Sequence, residues 1–403
     1  MNYHKLDSVT RMLEFLEENI DENHCAQVER RYLDALRFKP GAELPLVIIT
    51  NPRDELLPRH EAFHNPEMML HNELLTSEPF LGNVINAIYI KDDFPLHIRA
   101  NHGIALTHSM VGGKCELDKN NMPWALPLDI PVREYRRKWE NKAFDICENE
   151  VFKKVRETYL HFTNRLSEYP KCQKHIRLSH PNMMSPFQTA QSLMGTDFFL
   201  ELYDNPDDVH WLLKRLTQAY LELFRLLDPL MNNETSDKTC MYIHGEIYPC
   251  RTILKNDTAV AMLSEGHYLE YCRPYDEIIA RELGNICIHY CGSSRSFHGT
   301  AINVPGLTSI NLGNPRMQDM DAVINDWINK RIAVVGWGYD CGPEFLYDSL
   351  HGRNVTGFTL RCHVPRKEKA LEYVKRYRDM GLEGLKATPQ IIMPDFFSEN
   401  ERK

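Results

Sequence analysis

One residue separates His289 from Cys291 in the stretch Asn285-Ile-Cys-Ile-His-Tyr-Cys291. If that stretch is a β-strand, positions i and i+2 point to the same face, so imidazole and thiolate can reach a common ion. Cys362 closes another strand-like run, Val355-Thr-Gly-Phe-Thr-Leu-Arg-Cys362. Two thiolates and one imidazole suit zinc, with a fourth position left for substrate or water. Cys341, in Gly338-Tyr-Asp-Cys-Gly342, competes for the third place, whereas Cys287 lies deeper on the His289 face and reads as core.

Other polar residues fall at the ends of similar runs: Asn51, His180, Asn182, His244, Glu246, Asn311 and Trp337. Glu246 is the candidate fourth ligand or general acid, and Asp257 a candidate catalytic carboxylate that positions substrate. Asn182, His244 and Asn311 are candidate substrate contacts, with Trp337 and Tyr339 as walls for an aromatic group. His180, His244 and Glu246 together suit proton delivery to a leaving alkoxide or phenoxide.

The elements that must hold these residues alternate between two periods. Strand candidates are Leu44–Thr50, His175–Asn182, Cys240–Glu246, Asn285–Cys291, Leu307–Leu312, Ile332–Trp337 and Val355–Cys362. Helical spacing marks Leu6–Glu18, Cys25–Phe38, Pro131–Tyr169, Phe187–Tyr203, Gly266–Leu283, Met317–Lys330 and Arg366–Arg378. Asn205-Pro-Asp-Asp208 is a helix start, with a capping Asn, Pro in the first turn and acids at the positive end of the dipole. Short β-rich runs alternating with helices point to parallel βα units. The expected architecture is α/β, a TIM-type (β/α)8 barrel with N-terminal helical and loop additions, its reactive groups at the C-terminal strand ends. Helices over 1–40 precede a single barrel over 41–403, with an insertion around 90–170. An open doubly wound sheet is the alternative, but no G-x-G-x-x-G follows the first strand.

The bulk numbers are those of an ordinary globular chain: 403 residues, 43% hydrophobic and 26% charged. A net charge of -9 argues against nucleic-acid binding, which needs a basic face. No apolar run approaches the roughly 20 residues needed to cross a bilayer. Met1 to Glu22 reads as an amphipathic helical stretch rather than a signal peptide. Eleven cysteines, an odd number, are expected as reduced thiols in a cytoplasm.

From about Asn182 to Leu385 the sequence resembles the uroporphyrinogen decarboxylase-like superfamily. Pro181-Asn-Met-Met-Ser-Pro-Phe-Gln-Thr-Ala190 is similar to its Gly-Pro-Phe segment, and Asn256-Asp257 to its acidic active-site loop. Ile288-His-Tyr-Cys-Gly292 resembles the His-x-Cys-Gly of its zinc-dependent methyltransferase branch. Asn311-Leu-Gly313 is similar to the next strand end, and Arg361-Cys-His363 stands in the place of the distal cysteine. The resemblance implies an (α/β)8 barrel, with zinc (Zn2+) on His289, Cys291 and Cys362. It implies methyl transfer between a small substrate (methyl ether, alcohol, amine or thiol) and cobalamin carried by a corrinoid partner protein, and a homodimer. The first strand is followed by Asn51-Pro-Arg-Asp-Glu55 rather than an arginine-rich loop, so a substrate with many carboxylates is not expected. A metal-independent decarboxylase acting on another substrate is the alternative.

Overall fold

The computed structural model describes residues 6–50, 65–75, 83–116, 123–256, 260–293, 300–301, 303–353 and 355–386. Its strands are β1 (Leu46–Ile49), β2 (His97–Arg99), β3 (Lys114–Glu116), β4 (Trp124–Leu126), β5 (Arg177–Ser179) and β6 (Met241–Ile243). They continue with β7 (Glu246–Tyr248), β8 (Thr252–Lys255), β9 (Ile286–Tyr290), β10 (Leu307–Leu312), β11 (Ala333–Trp337) and β12 (Phe358–His363).

Six strands form one parallel sheet in the order β1-β12-β11-β10-β9-β8. β2 and β5 form a separate parallel pair. The edges between the two sheets are bridged by other means. Beside β1, the Asp93 carboxylate accepts from Leu46 N–H at 2.9 Å and the Asp92 carboxylate from Ile48 N–H at 2.7 Å. These carboxylates stand where a neighbouring strand would offer carbonyls, and so satisfy an edge that could not otherwise be buried. Beside β8, Ser185 N–H donates to Lys255 O at 2.8 Å, next to an isolated parallel bridge from Met184 to Lys255. The molecule is thus an α/β fold built on parallel strands, and the strand ladders alone do not draw the expected closed barrel.

The sheet buries both faces, which is why its strands read as near-continuous apolar runs. Ile286, Ile288 and Tyr290 of β9, with Phe358, Leu360 and Cys362 of β12, pack in the large core shared with the helices. Cys287, Ala333 and Val335 pack in a second core on the other face. That core is completed by the β6–β7 hairpin and by helix α2 (Glu22–Leu36), which follows α1 (Val9–Asn19) and contributes Val28, Tyr32 and Leu36. Asp21 caps α2 by accepting from the N–H groups of Asn23 and His24, which fixes where the chain turns inward. No helix among the described residues is long and apolar enough to cross a membrane.

Several elements differ from expectation for local reasons. The helix expected over Pro131–Tyr169 is two, Val132–Trp139 and Glu150–Ser167, because Asn149 starts the second by accepting from Val151 and Phe152 N–H. Phe187–Tyr203 divides into Pro186–Met194 and Phe198–Asp204 at Gly195, whose φ is +85°. Gly266–Leu283 divides into Glu265–Tyr271 and Arg273–Leu283, with Pro274 in the first turn of the second. Cys240–Glu246 is not one strand: His244 and Gly245 have φ of +49° and +87°, which folds β6 back on β7 in a two-residue hairpin turn.

His97 holds that turn. Its Nδ1 lies 2.6 Å from Pro95 O and its Nε2 accepts from Gly245 N–H at 2.9 Å, so the ring is a neutral tautomer with both nitrogens used. Burial pushes its pKa from 6.5 down to about 4. Between those values the unfolded chain takes a proton that the folded chain refuses, so this contribution is lost as pH falls from 6.5 toward 4. Comparing urea midpoints of the protein and its His97→Gln variant isolates the effect. The wild-type advantage shrinks by about 1.4 kcal/mol per pH unit across that window; a constant difference contradicts the assignment.

Candidate functional site

The C-terminal strand ends carry the chemistry, and strand register decides which side chains meet. Lys255 of β8 and Asn311 of β10 are both register partners of His289 on β9. His289 Nδ1 lies 2.6 Å from Asn311 Oδ1, while Asn311 Nδ2 donates to Val335 O at 2.6 Å. The second bond fixes the amide's orientation, so its oxygen faces the imidazole and Nδ1 carries the hydrogen. Nε2 is then the basic nitrogen, and it lies 3.7 Å from Cys291 Sγ. The order thiol, imidazole, amide is that of a base oriented by a third group.

The backbone behind Cys291 is fixed from two sides. Asn314 Oδ1 accepts from Gly292 N–H at 2.7 Å, and Gln318 Nε2 donates to Gly292 O at 2.8 Å. Gly313 lies so close that an added Cβ would stand 2.6 Å from Cys291 Sγ. A Gly313→Ala variant therefore displaces the thiol, and its reaction with iodoacetamide is expected to change while the circular dichroism melt stays within a few degrees. An unchanged alkylation rate contradicts the packing.

Cationic side chains line the neighbouring wall. Arg99 Nη1 donates to Asn182 Oδ1 at 2.8 Å and lies 2.8 Å from His244 Nδ1. Lys255 Nζ donates to the same Asn182 oxygen at 2.7 Å and lies 3.2 Å from His244 Nε2. Burial holds the pKa of His244 well below its ordinary value, and the charges of Lys255, Arg99, His289 and Arg361 push it the same way. His244 is a neutral acceptor here.

Glu246 has a different place from the one expected. It is fully buried, its Oε1 accepting from Arg361 Nε at 2.9 Å and Nη2 at 2.8 Å. Its Oε2 accepts from Tyr32 at 2.6 Å and Thr359 at 3.0 Å. Burial raises its pKa and Arg361 opposes that rise. With both oxygens committed, the carboxylate anchors Arg361 and ties α2 to β12; it is placed neither as a zinc ligand nor as a general acid.

Cys362 and Trp337 are corrected by strand parity. In β12, Thr359 and Arg361 face Glu246, so Phe358, Leu360 and Cys362 face the helices, and Cys362 is buried in the helix-side core. Burial pushes its pKa well above the ordinary thiol value, as it pushes that of Cys341, to about 11. Trp337 packs on Phe345 and Phe358 and donates to Ser349 Oγ at 3.0 Å, so it is core and not a substrate wall. Tyr339 does stand by the site, its ring 6.0 Å from the Arg361 guanidinium. His180 is buried against Phe224 of the Pro206–Leu227 helix. Asn51 and Asp257 lie outside the described residues.

Zinc was expected on His289, Cys291 and Cys362. The first two converge, but the third points to the opposite face of its sheet. Among the described residues no three His, Cys, Asp or Glu groups gather where one ion could bind. A catalytic zinc takes three protein ligands, so this donor set does not fit the expected site. A cleft of about 390 Å³ beside Leu96 and Arg177 opens at the other ends of the strands and does not touch this cluster.

No protein-family model matches the chain, and no curated protein matches it. Among solved structures it is similar to a methyltransferase from Methanosarcina mazei, with a TM-score of 0.60 and 15% identity. The match covers 87% of this chain and 99% of that one. At that identity the likeness is one of fold.

Proposed function

We propose that the protein is a methyltransferase acting at the C-terminal strand ends, with its eight parallel strands arranged as a (β/α)8 barrel around the site. The observation that carries this reading is the Cys291–His289–Asn311 alignment, on inward-facing strand positions of a fold shared with a protein named a methyltransferase. The methyl group moves from a heteroatom of a small substrate to a corrinoid presented by a second protein, which supplies the methyl-accepting metal. The electron pair of the broken bond stays on the heteroatom, and the His289–Cys291 pair supplies the proton that heteroatom takes up. Asn311 keeps the His289 ring in the tautomer that leaves Nε2 for this exchange. Arg99, Lys255 and Tyr339 bound the space in which the substrate sits.

Incubation with reduced cobalamin and isotope-labelled methyl ethers, alcohols, amines and thiols tests the reading. Label appearing on the corrinoid supports it. Release of carbon dioxide from a carboxylated substrate, without methyl transfer, supports the decarboxylase alternative.

A further inference from the structure

We propose that the cleft at the N-terminal strand ends is a second small-molecule site, and that it takes a singly charged carboxylate with an apolar body. It lies away from the reaction centre, so it stands whatever chemistry occurs there.

The cleft's volume of about 390 Å³ falls within the roughly 300–1,000 Å³ of small-molecule sites. Its walls are α2, the Val84–Ile90 helix and the residues that lead into β2 and β5. Val28, Leu33, Ile88, Phe94 and Leu96 give it an apolar lining that suits a hydrocarbon or aromatic body.

Arg177, the first residue of β5, supplies the polar end. Its guanidinium lies over the Tyr242 ring, 5.8 Å from the ring centre. That ring is itself held in place, because Tyr242 OH donates to Glu29 at 2.6 Å and the ring meets His97 edge-on. A guanidinium whose face rests on an aromatic ring keeps its in-plane N–H fork for a carboxylate.

The other charges of the cleft single out the same residue. Arg30 lies 3.9 Å from Asp34, Lys91 lies 3.9 Å from Asp21, and Arg37 pairs with Asp237. The Arg177 backbone N–H donates to Leu96 O at 3.0 Å, and among the described residues its half-buried side chain has the Tyr242 ring as its contact and no carboxylate. Two further acids are already engaged: Glu29 also accepts from Ser236 N–H at 3.1 Å, and Glu22 pairs with Lys174 and His175. Histidines aside, four acidic and four basic side chains line the cleft. A second negative charge on the ligand would find no counterpart there, so a monoanion fits and a phosphate dianion does not.

Binding to the full chain tests this without any turnover. Phenylacetate and its neutral analogue phenylacetamide are titrated by calorimetry, with acetate and inorganic phosphate as further arms. Phenylacetate is expected to bind at least about tenfold tighter than each of the other three. Arg177→Gln is expected to lose the preference for acid over amide. Leu33→Trp fills the apolar lining and is expected to abolish binding with Arg177 still in place. Location is read from two half-buried thiols, Cys25 in the cleft and Cys291 at the reaction centre. Phenylacetate is expected to slow the labelling of Cys25 by N-ethylmaleimide and to leave Cys291 unaffected, as followed by peptide mass spectrometry. Equal affinity for acid and amide, a preference that survives Arg177→Gln, or protection of Cys291 in place of Cys25 overturns the site.

Discussion

Glu246→Ala is expected to lower the unfolding free energy by about 3–5 kcal/mol, among the largest single effects in the molecule. The substitution leaves the Arg361 guanidinium buried at 2% exposure without the carboxylate that holds both its Nε and Nη2. It also strands Tyr32 and Thr359, whose hydroxyls donate to the other carboxylate oxygen. The double variant Glu246→Leu with Arg361→Met removes both charges and is expected to recover most of the loss, since apolar replacement of a whole buried pair is often neutral. Urea unfolding of the single and double variants reads the difference. A single variant as stable as wild type, but inactive, would return Glu246 to a catalytic role.

The second large effect concerns rate. His289→Ala is expected to lower methyl transfer about 10²–10⁴-fold, the span of a positioned acid–base group, with little change in stability. His289 is half-buried at the strand end, where its ring meets Asn311 and Cys291. Asn311→Leu probes the same chain one step back. It removes the acceptor that fixes the tautomer, so turnover is expected to fall while substrate affinity holds. A loss confined to KM would instead make Asn311 a binding residue.

Much of the scaffold was legible in the chain. Leu307–Leu312 forms a strand over the span expected, β1, β9 and β11 fall within the apolar runs read for them, and β12 starts inside its run and ends one residue past Cys362, at His363. Their burial on both faces makes the sequence signal strong. β2 and β8 were not anticipated, since His97–Arg99 follows Pro95 and Thr252–Lys255 ends in a lysine. Their charged ends, Arg99 and Lys255, converge on Asn182 beside the site, so missing the strands also meant missing both residues.

The site was half legible for a geometric reason. A strand end brings its last residues to the right height, and the parity of the preceding residues decides their direction. Apolar Phe358 and Leu360 share a face with Cys362, a pattern that already places this thiol with the helices and Arg361 with the site. The H-x-C pair survives because Cys287, His289 and Cys291 alternate with apolar Ile286, Ile288 and Tyr290. The Glu246–Arg361 pair joins residues 115 positions apart, a contact that no local pattern encodes.

In the proposed reaction the inward pair His289–Cys291, and not the distal cysteine, forms the reaction centre. Methyl transfer by Cys291→Ser and Cys362→Ser, measured side by side with zinc content on the same preparations, tests it most directly. Cys291→Ser is expected to lose transfer, while Cys362→Ser keeps the wild-type rate and zinc content and loses only stability, by about 1–3 kcal/mol for a hydroxyl in an apolar core. Loss of transfer and of bound zinc in Cys362→Ser, with its melting temperature unchanged, would contradict the account.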